Sequence, residues 1–459
     1  MEEQNDALHH YCGVVGLFSQ NITNIPQKLF FPLFSLQHRG QESAGIAYKE
    51  KEGIAVYKDL GMVGSVMSRY LSEVKESHVG IGHVRYSTKG GNRFENAQPI
   101  HVSCNKGEIA LAHNGNIANT PVVKDELFQQ GSIFQTTSDS ELIMHLLSTS
   151  KRQDFFEALS ETFMRLQGAY SIVMIHNESL YAIRDPIGFR PLYIGSNDET
   201  TMVASESCAF DIMQITDYRE VEPGEVVCIS QKGTYSRKLP ANEPKAQCVF
   251  ELIYFARPDS EVFSKSVYDM RKRFGAALAQ LDTVDADVVV PVPDSGNVAS
   301  IGYSGQAGIP YEQGLTRNHY AGRSFILPTT SERELAVRMK LNPVKRVVKG
   351  KRLIVMDDSL VRGTTSRIIV RLLKEAGAKE VHFRLSSPEI LYPCYFGIDI
   401  PTTEELISNR LNQQEIAKEI GADSVMFLPA DKLRAAVGGG EEFCFGCFTG
   451  HYPVRIPNE

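Results

Sequence analysis

In the first half of the chain, short apolar and β-branched runs at 14–18, 54–57, 109–112, 171–175, 192–194 and 226–229 are separated by glycine-rich and polar turns. That rhythm predicts strands. Segments 27–36 and 140–147 instead repeat apolar residues at helical intervals. Ser138 and Asp139 precede the second and Ser140 opens it, all three good helix caps. The pattern predicts sheets with helices packed on them. Between 231 and 247 Lys, Gly, Ser, Pro and Asn crowd together as in a linker, and the rhythm then changes. Segment 268–281 reads as a helix, 287–292 and 353–356 as continuously apolar strands, and 365–375 as a helix following directly on a strand. Apolar strands alternating with helices predict a parallel sheet covered on both faces. Two units are therefore expected, 12–240 and 248–459, behind a short leader, 1–11.

Composition agrees with this and narrows the class. A chain of 459 residues is longer than one core usually grows. Its hydrophobic fraction of 42% and charged fraction of 22% are those of a globular protein. A net charge of -7 argues against broad nucleic-acid binding, while leaving room for a local basic cleft that takes a small phosphorylated molecule. The leader holds Glu2, Glu3 and Asp6 and has no basic start or apolar core, unlike a secretory signal. No apolar run nears the roughly 20 residues of a membrane span, so a cytoplasmic location is expected. Eight cysteines in such a chain point to metal binding or catalysis rather than a disulfide scaffold.

Cys12 heads the first predicted strand. A lone cysteine there is more often a small buried residue than a nucleophile. Its setting includes three polar, glycine-punctuated runs: 38–45, 83–88 and 113–116. Amide hydrolysis needs a nucleophile, a base, and donors for the developing oxyanion. A cysteine at a freed N-terminus supplies the first two, since an α-amino group with an ordinary pKa of about 7.7 can take the thiol proton. Asn114 offers a side-chain amide and Gly115 an open backbone N–H. Arg85 suits a carboxylate and Asp139 an ammonium group. Each has a plainer reading as well, Asn-Gly as a hairpin signal and Asp139 as a cap.

The sequences CGVVGLF at 12–18, QHRGQESAGI at 37–46, GHVRYST at 82–88 and HNGN at 113–116 together resemble the N-terminal-nucleophile class II glutamine amidotransferases. The resemblance implies a four-layer αββα sandwich and Cys12 as nucleophile after removal of propeptide 1–11. It further implies Asn114 and Gly115 at the oxyanion, and Arg85, Thr88 and Asp139 as glutamine-binding residues.

In the second half, an apolar strand runs into Asp357, Asp358, Ser359, Leu360, Val361, Arg362, Gly363, Thr364, Thr365 and Ser366 before a helix. Acidic residues at a strand end can hold sugar hydroxyls and Mg²⁺, and the following N–H and hydroxyl groups can hold a phosphate at a helix start. The run resembles the ribose-phosphate motif of type I phosphoribosyltransferases. Asp294, Ser295 and Gly296, after the strand at 288–292, resemble that family's pyrophosphate loop. The resemblance implies binding of 5-phosphoribosyl diphosphate by both loops, with Mg²⁺ on Asp357, Asp358 and Ser295, directly or through the diphosphate. Between the loops, 317–344 carries Arg317, Arg323, Arg333, Arg338 and Lys340. It is either a solvated basic surface or, by resemblance, a loop that closes over the diphosphate.

Cys444 and Cys447 form a CxxC pair, and Cys248 and Cys394 stand alone. Spacing is compatible with zinc, a redox pair or an iron-sulfur cluster. Both halves together resemble the cluster-containing branch of glutamine phosphoribosylpyrophosphate amidotransferases, which implies a 4Fe-4S cluster on these four cysteines, purine nucleotides as feedback inhibitors, and a homotetramer. Cys104, Cys208 and Cys228 match nothing in that pattern.

Overall fold

The computed structural model describes residues 12–86, 93–240, 243–318, 338–400, 402–454 and 456. The described residues of the first half form thirteen strands in chain order: β1 (Gly13–Thr23), β2 (Ser43–Glu50), β3 (Gly53–Leu60), β4 (Ser77–Arg85), β5 (Ile100–Cys104), β6 (Gly107–Ile117), β7 (Gly168–His176), β8 (Ser179–Arg184), β9 (Tyr193–Ser196), β10 (Thr201–Ala204), β11 (Asp217–Glu220), β12 (Glu225–Ser230) and β13 (Gly233–Lys238). They form two antiparallel sheets, one ordered β11-β9-β10-β1-β4-β2-β3 and the other β13-β12-β8-β7-β6-β5.

Successive strand residues face opposite ways, and this alternation builds the layers. Val14, Phe18, Ile81, Ala112, Val173 and Ala182 meet between the sheets. On the outer side of the first sheet, Val15 and Leu17 pack with Leu29, Leu33, Met67 and Phe210 from the covering helices. On the outer side of the second, Leu111 and Ile172 pack with Leu142, Leu146, Leu159 and Phe163. The result is the expected four-layer αββα sandwich. The helix expected over 27–36 is two pieces, Ile25–Lys28 and Phe30–Ser35. Pro32 lacks the N–H an unbroken helix would need and fits instead the first turn of a new one. Likewise, part of the stretch read as linker is β13, the edge strand paired with β12.

The second half is built on a parallel sheet of four strands, Val288–Pro291, Arg352–Asp357, Glu380–Leu385 and Ser424–Phe427, side by side in that order. Val289, Ile354 and Met356 pack on one face against helices Val267–Ala279 and Asn297–Ala307. Val290, Leu353 and Val355 pack on the other against Thr364–Glu375 and Gln413–Ile420. Strand Gln247–Cys248, at the entrance to this half, pairs in parallel with Phe443–Cys444 near the C-terminus.

Candidate active sites

Cys12 lies one residue before β1 and has the strand parity of Val14 and Phe18, so it belongs to the inter-sheet face. Arg85 shares parity with Ile81, and Asn114 with Ala112. Cys12 and Arg85 come together where β4 ends, and Asn114 precedes Gly115 on β6. Beside them is a cavity of about 150 Å³ whose walls include Cys12, Arg85, Gln98, His113, Gly115 and Asp139.

Cys12 is half-buried, its Sγ 3.9 Å from the Tyr86 carbonyl oxygen. Burial raises its thiol pKa above the ordinary value, while the Arg85 guanidinium pulls the other way. A thiol so placed needs a base to become a nucleophile. Gly115 has φ +152, and a Cβ there would collide with the Ala169 carbonyl of β7, so only glycine brings β6 this close. Asn114 is fully buried, and neither its amide nitrogen nor its amide oxygen has a hydrogen-bond partner. Asp139 starts helix Ser140–Thr149 without capping it through its side chain. Its Oδ2 accepts from Ile117 N at 2.8 Å, which holds the carboxylate at the cavity wall. Gln98, not singled out from sequence, lines the same cavity; its Oε1 accepts from His113 N at 2.7 Å and its Nε2 donates to Ser140 Oγ at 3.1 Å. Only a flanking Pro99 marks it in the sequence. Thr88 and the leader 1–11 lie outside the described residues.

At the second site, strand Arg352–Asp357 ends in the acidic pair. Asp357 and Asp358 are both buried, and Ser295 Oγ donates to Asp357 Oδ1 at 2.9 Å across the two loops. Asp358 N donates to the same oxygen at 2.9 Å, and Ser359 Oγ donates to Asp358 Oδ1. Burial raises the pKa of both carboxyls, that of Asp357 well above the carboxylate range because Asp358 adds its charge. Such a pair ionises fully only beside positive charge. Gly296 sits so close under the strand that a Cβ would strike the Met356 carbonyl. Gly363 is the N-cap of helix Thr364–Glu375, so Thr364 and Thr365 present that helix's first amides. Arg362 bridges to Glu405 at 3.0 Å, and Arg317 to Asp294 at 2.8 Å.

Cys248, Cys394, Cys444 and Cys447 lie where the halves join. Cys248 and Cys444 are register partners, and Cys394 and Cys447 pack into the same core. Burial is the main cause raising the Cys248 thiol to about 11 and the Cys447 thiol well above its ordinary value; Cys394 adds to the first shift, and Cys394, Cys444 and Cys248 add to the second. Among the described residues no three His, Cys, Asp or Glu side chains are grouped as a metal-ion site. Cys208 and Cys228 are buried and Cys104 half-buried, each in the first half.

Sandwich, parallel sheet and the two clusters of polar residues define a class: a class II glutamine amidotransferase fold joined in one chain to a phosphoribosyltransferase fold. A model of the glutamine amidotransferase domain matches residues 83–211, and amidophosphoribosyltransferase of Methanocaldococcus jannaschii is 45% identical over 97% of this chain and 98% of its own. The chain belongs to the amidophosphoribosyltransferase family. Two solved structures agree, each 45% identical and covering 98% of the chain. One, described as the allosteric regulatory enzyme of purine biosynthesis, superposes with a TM-score of 0.92 over 97% of its own chain. The other, glutamine phosphoribosylpyrophosphate amidotransferase from Bacillus subtilis complexed with ADP and GMP, superposes with a TM-score of 0.91 over 98%.

Proposed function

We propose that the chain converts glutamine, 5-phosphoribosyl diphosphate and water to 5-phosphoribosylamine, glutamate and diphosphate, the first committed step of purine nucleotide synthesis. The observation that carries this reading is the presence, in one chain of the family, of a cysteine-containing polar cavity and a buried acidic pair beside a helix N-terminus.

In the glutamine site, Arg85 holds the substrate α-carboxylate and Asp139 its ammonium group, with Thr88 as a further contact. The Cys12 thiol transfers its proton to its own α-amino group, freed by removal of residues 1–11, and the thiolate attacks the side-chain amide. A C–S bond forms and charge develops on the amide oxygen, which takes hydrogen bonds from the Gly115 N–H and the Asn114 amide. A buried amide without a partner is costly, so Asn114 suits an acceptor that arrives with the substrate. The amine leaves as ammonia with the returned proton, and water hydrolyses the thioester to glutamate. Ammonia then passes to the second site shielded from water, where protonation would quench it, and attacks the ribose C1 as diphosphate departs.

At that second site Asp294, Ser295 and Gly296 hold the diphosphate, and Asp357, Asp358, Ser359, Arg362, Gly363, Thr364 and Thr365 hold the ribose phosphate. Ser295, Asp357 and Asp358 would hold Mg²⁺, directly or through the diphosphate, and their raised carboxyl pKa values suit a divalent partner. The ion would neutralise charge on the leaving diphosphate. The buried thiols of Cys248 and Cys447 and the half-buried thiols of Cys394 and Cys444 are soft ligands suited to a 4Fe-4S cluster, which would tie the junction between the halves to the C-terminus. The same reading carries purine nucleotides as feedback inhibitors, a homotetramer and a cytoplasmic location. Among the described residues no helix is long and apolar enough to cross a membrane.

Cys12→Ala tests the reading directly. Glutamine-dependent synthesis should be abolished while synthesis from added ammonia persists, because the nucleophile serves only the first site. Equal loss of both activities would overturn the assignment, and an active chain whose intact mass includes residues 1–11 would overturn the α-amino base.

A further inference from the structure

Neither site as described uses the buried charges packed between the two halves. Arg39, on the turn Gln37–Arg39, has a side chain with no solvent exposure, as have Glu206 and Glu251. Its Nε donates to the Cys12 carbonyl oxygen at 3.1 Å. Its Nη1 and Nη2 donate to the two Glu251 carboxylate oxygens at 3.0 and 2.8 Å, and Nη1 also meets Glu206. One planar guanidinium therefore spans the backbone of Cys12 and a carboxylate supplied by the second half of the chain.

Glu251 opens a single π-helical turn, Glu251–Phe255, just after the strand Gln247–Cys248. Such turns are rare and frequently lie at functional sites. The turn is gripped from its other side by buried Arg271 on helix Val267–Ala279. Arg271 Nε donates to the Leu252 carbonyl at 3.1 Å and its Nη2 to the Ala256 carbonyl at 2.8 Å. The Arg271 charge in turn acts on Asp358 at the other site. Arg190 adds a second cation on Glu251 at 3.3 Å and reaches the Phe396 carbonyl at 2.8 Å.

A buried ionic cluster is a weak device for stability, since apolar residues of similar volume serve as well. What the cluster does supply is direction. Fixing the Cys12 carbonyl fixes the rotation of its Cα, and the thiol and α-amino group both hang from that atom.

We propose that Arg39 is a positioning residue for Cys12, and that the Glu251–Phe255 turn of the second half supports it. The inference rests on the reading of Cys12 as nucleophile and adds the residues that aim it. Hydrolysis of glutamine then needs the second half in place, even with no substrate bound there. The link is mechanical and involves no proton transfer.

The test uses the full-length holoenzyme. Arg39→Lys keeps the charge facing Glu206 and Glu251 but removes the planar fork and the Nε donor. It should lower kcat for glutamine hydrolysis about 10- to 100-fold with KM for glutamine within about threefold, the split expected when orientation and not binding is lost. Synthesis from added ammonia by the same preparation should be unchanged. Glu251→Gln acts only at the second-half end of the link and should lower the same kcat; combined with Arg39→Lys it should add no further loss, because both remove one linkage. If an unpaired buried arginine prevents the Glu251→Gln chain from folding, Glu251→Asp, which keeps the charge and withdraws the fork by one methylene, gives the same readout. Wild-type kcat in Arg39→Lys, parallel loss of both activities, or an additive double variant would each overturn the proposal. Glutamine hydrolysis that survives Cys12→Ala would instead overturn the nucleophile itself, a separate result.

Discussion

His83 illustrates how burial decides the state of a single group beside the glutamine site. Its Nε2 lies 3.1 Å from the His113 carbonyl oxygen, and its Nδ1 is buried with no hydrogen-bond partner. A carbonyl can only accept, so Nε2 carries the proton. Burial pushes the ring pKa down to about 3, with Arg85 adding repulsion. The unfolded chain takes up a proton below the ordinary value of 6.5, whereas the folded chain refuses one until about pH 3. Stability from this group is therefore complete above pH 6.5 and is lost as pH falls through that window, by up to about 1.4 kcal/mol per pH unit. Nitrogen NMR of labelled protein should show His83 neutral at pH 5 with its proton on Nε2. A ring that titrates near 6.5 would contradict the buried placement. Asn114 is a second example: its Asn-Gly setting first suggests a hairpin, yet it lies inside a continuous strand with an unpartnered amide.

Among the elements, the junction of Gln247–Cys248, Phe443–Cys444 and the short helix Gly446–Thr449 is where a cluster would act. With two-residue strands and one helical turn, this region has little hydrogen bonding of its own, so metal-ligand bonds would contribute folding energy there. Protein purified without oxygen should be brown and hold about four iron atoms per chain, and Cys444→Ser should lower both iron content and folded yield. Colourless protein with stoichiometric zinc would replace the cluster by a zinc site. The elements were legible to different degrees, for physical reasons. The apolar cores of β1, β6 and β7 stand out in the sequence, but β1 extends over Gly13–Thr23, beyond the apolar run 14–18, because its polar second half carries no apolar signal. β4 carries no strand signal in the sequence because Gly80 and Gly82 depress strand propensity; in the fold they let Leu29 and Leu33 lie against the sheet. The acidic pair and its helix were clear because strand, loop and helix are contiguous. The meeting of Arg39 with Glu206 and Glu251 was not, since no local pattern records a contact across such separations.

At the scale of the whole molecule, two sites that pass ammonia between them work best if the first fires only when the second is loaded. The basic segment 317–344 lies in sequence between the loop at 294–296 and the acidic pair Asp357 and Asp358, although 319–337 fall outside the described residues. At its described start, Arg317 pairs with Asp294 at 2.8 Å, with both side chains roughly half exposed. An incoming diphosphate with Mg²⁺ is a stronger partner for Arg317 than one exposed carboxylate, so binding should draw Arg317 away from Asp294. A ligand shifts such an equilibrium only through its differential affinity for the two arrangements of Arg317, which these phosphate contacts would supply. The expected coupling is about 1 to 3 kcal/mol, or roughly 5- to 150-fold, and it is reciprocal in binding, so glutamine should tighten ribosyl diphosphate by the same factor. Asp357→Ala removes the carboxylate that Ser295 contacts and would weaken the proposed Mg²⁺-diphosphate site. It should lose synthesis from ammonia and the stimulation of glutamine hydrolysis together, yet keep the basal hydrolysis that depends on Cys12. Glutamate release measured for wild type and variant, with and without saturating ribosyl diphosphate, decides the matter: wild-type hydrolysis unmoved by the diphosphate would mean that the two sites work independently.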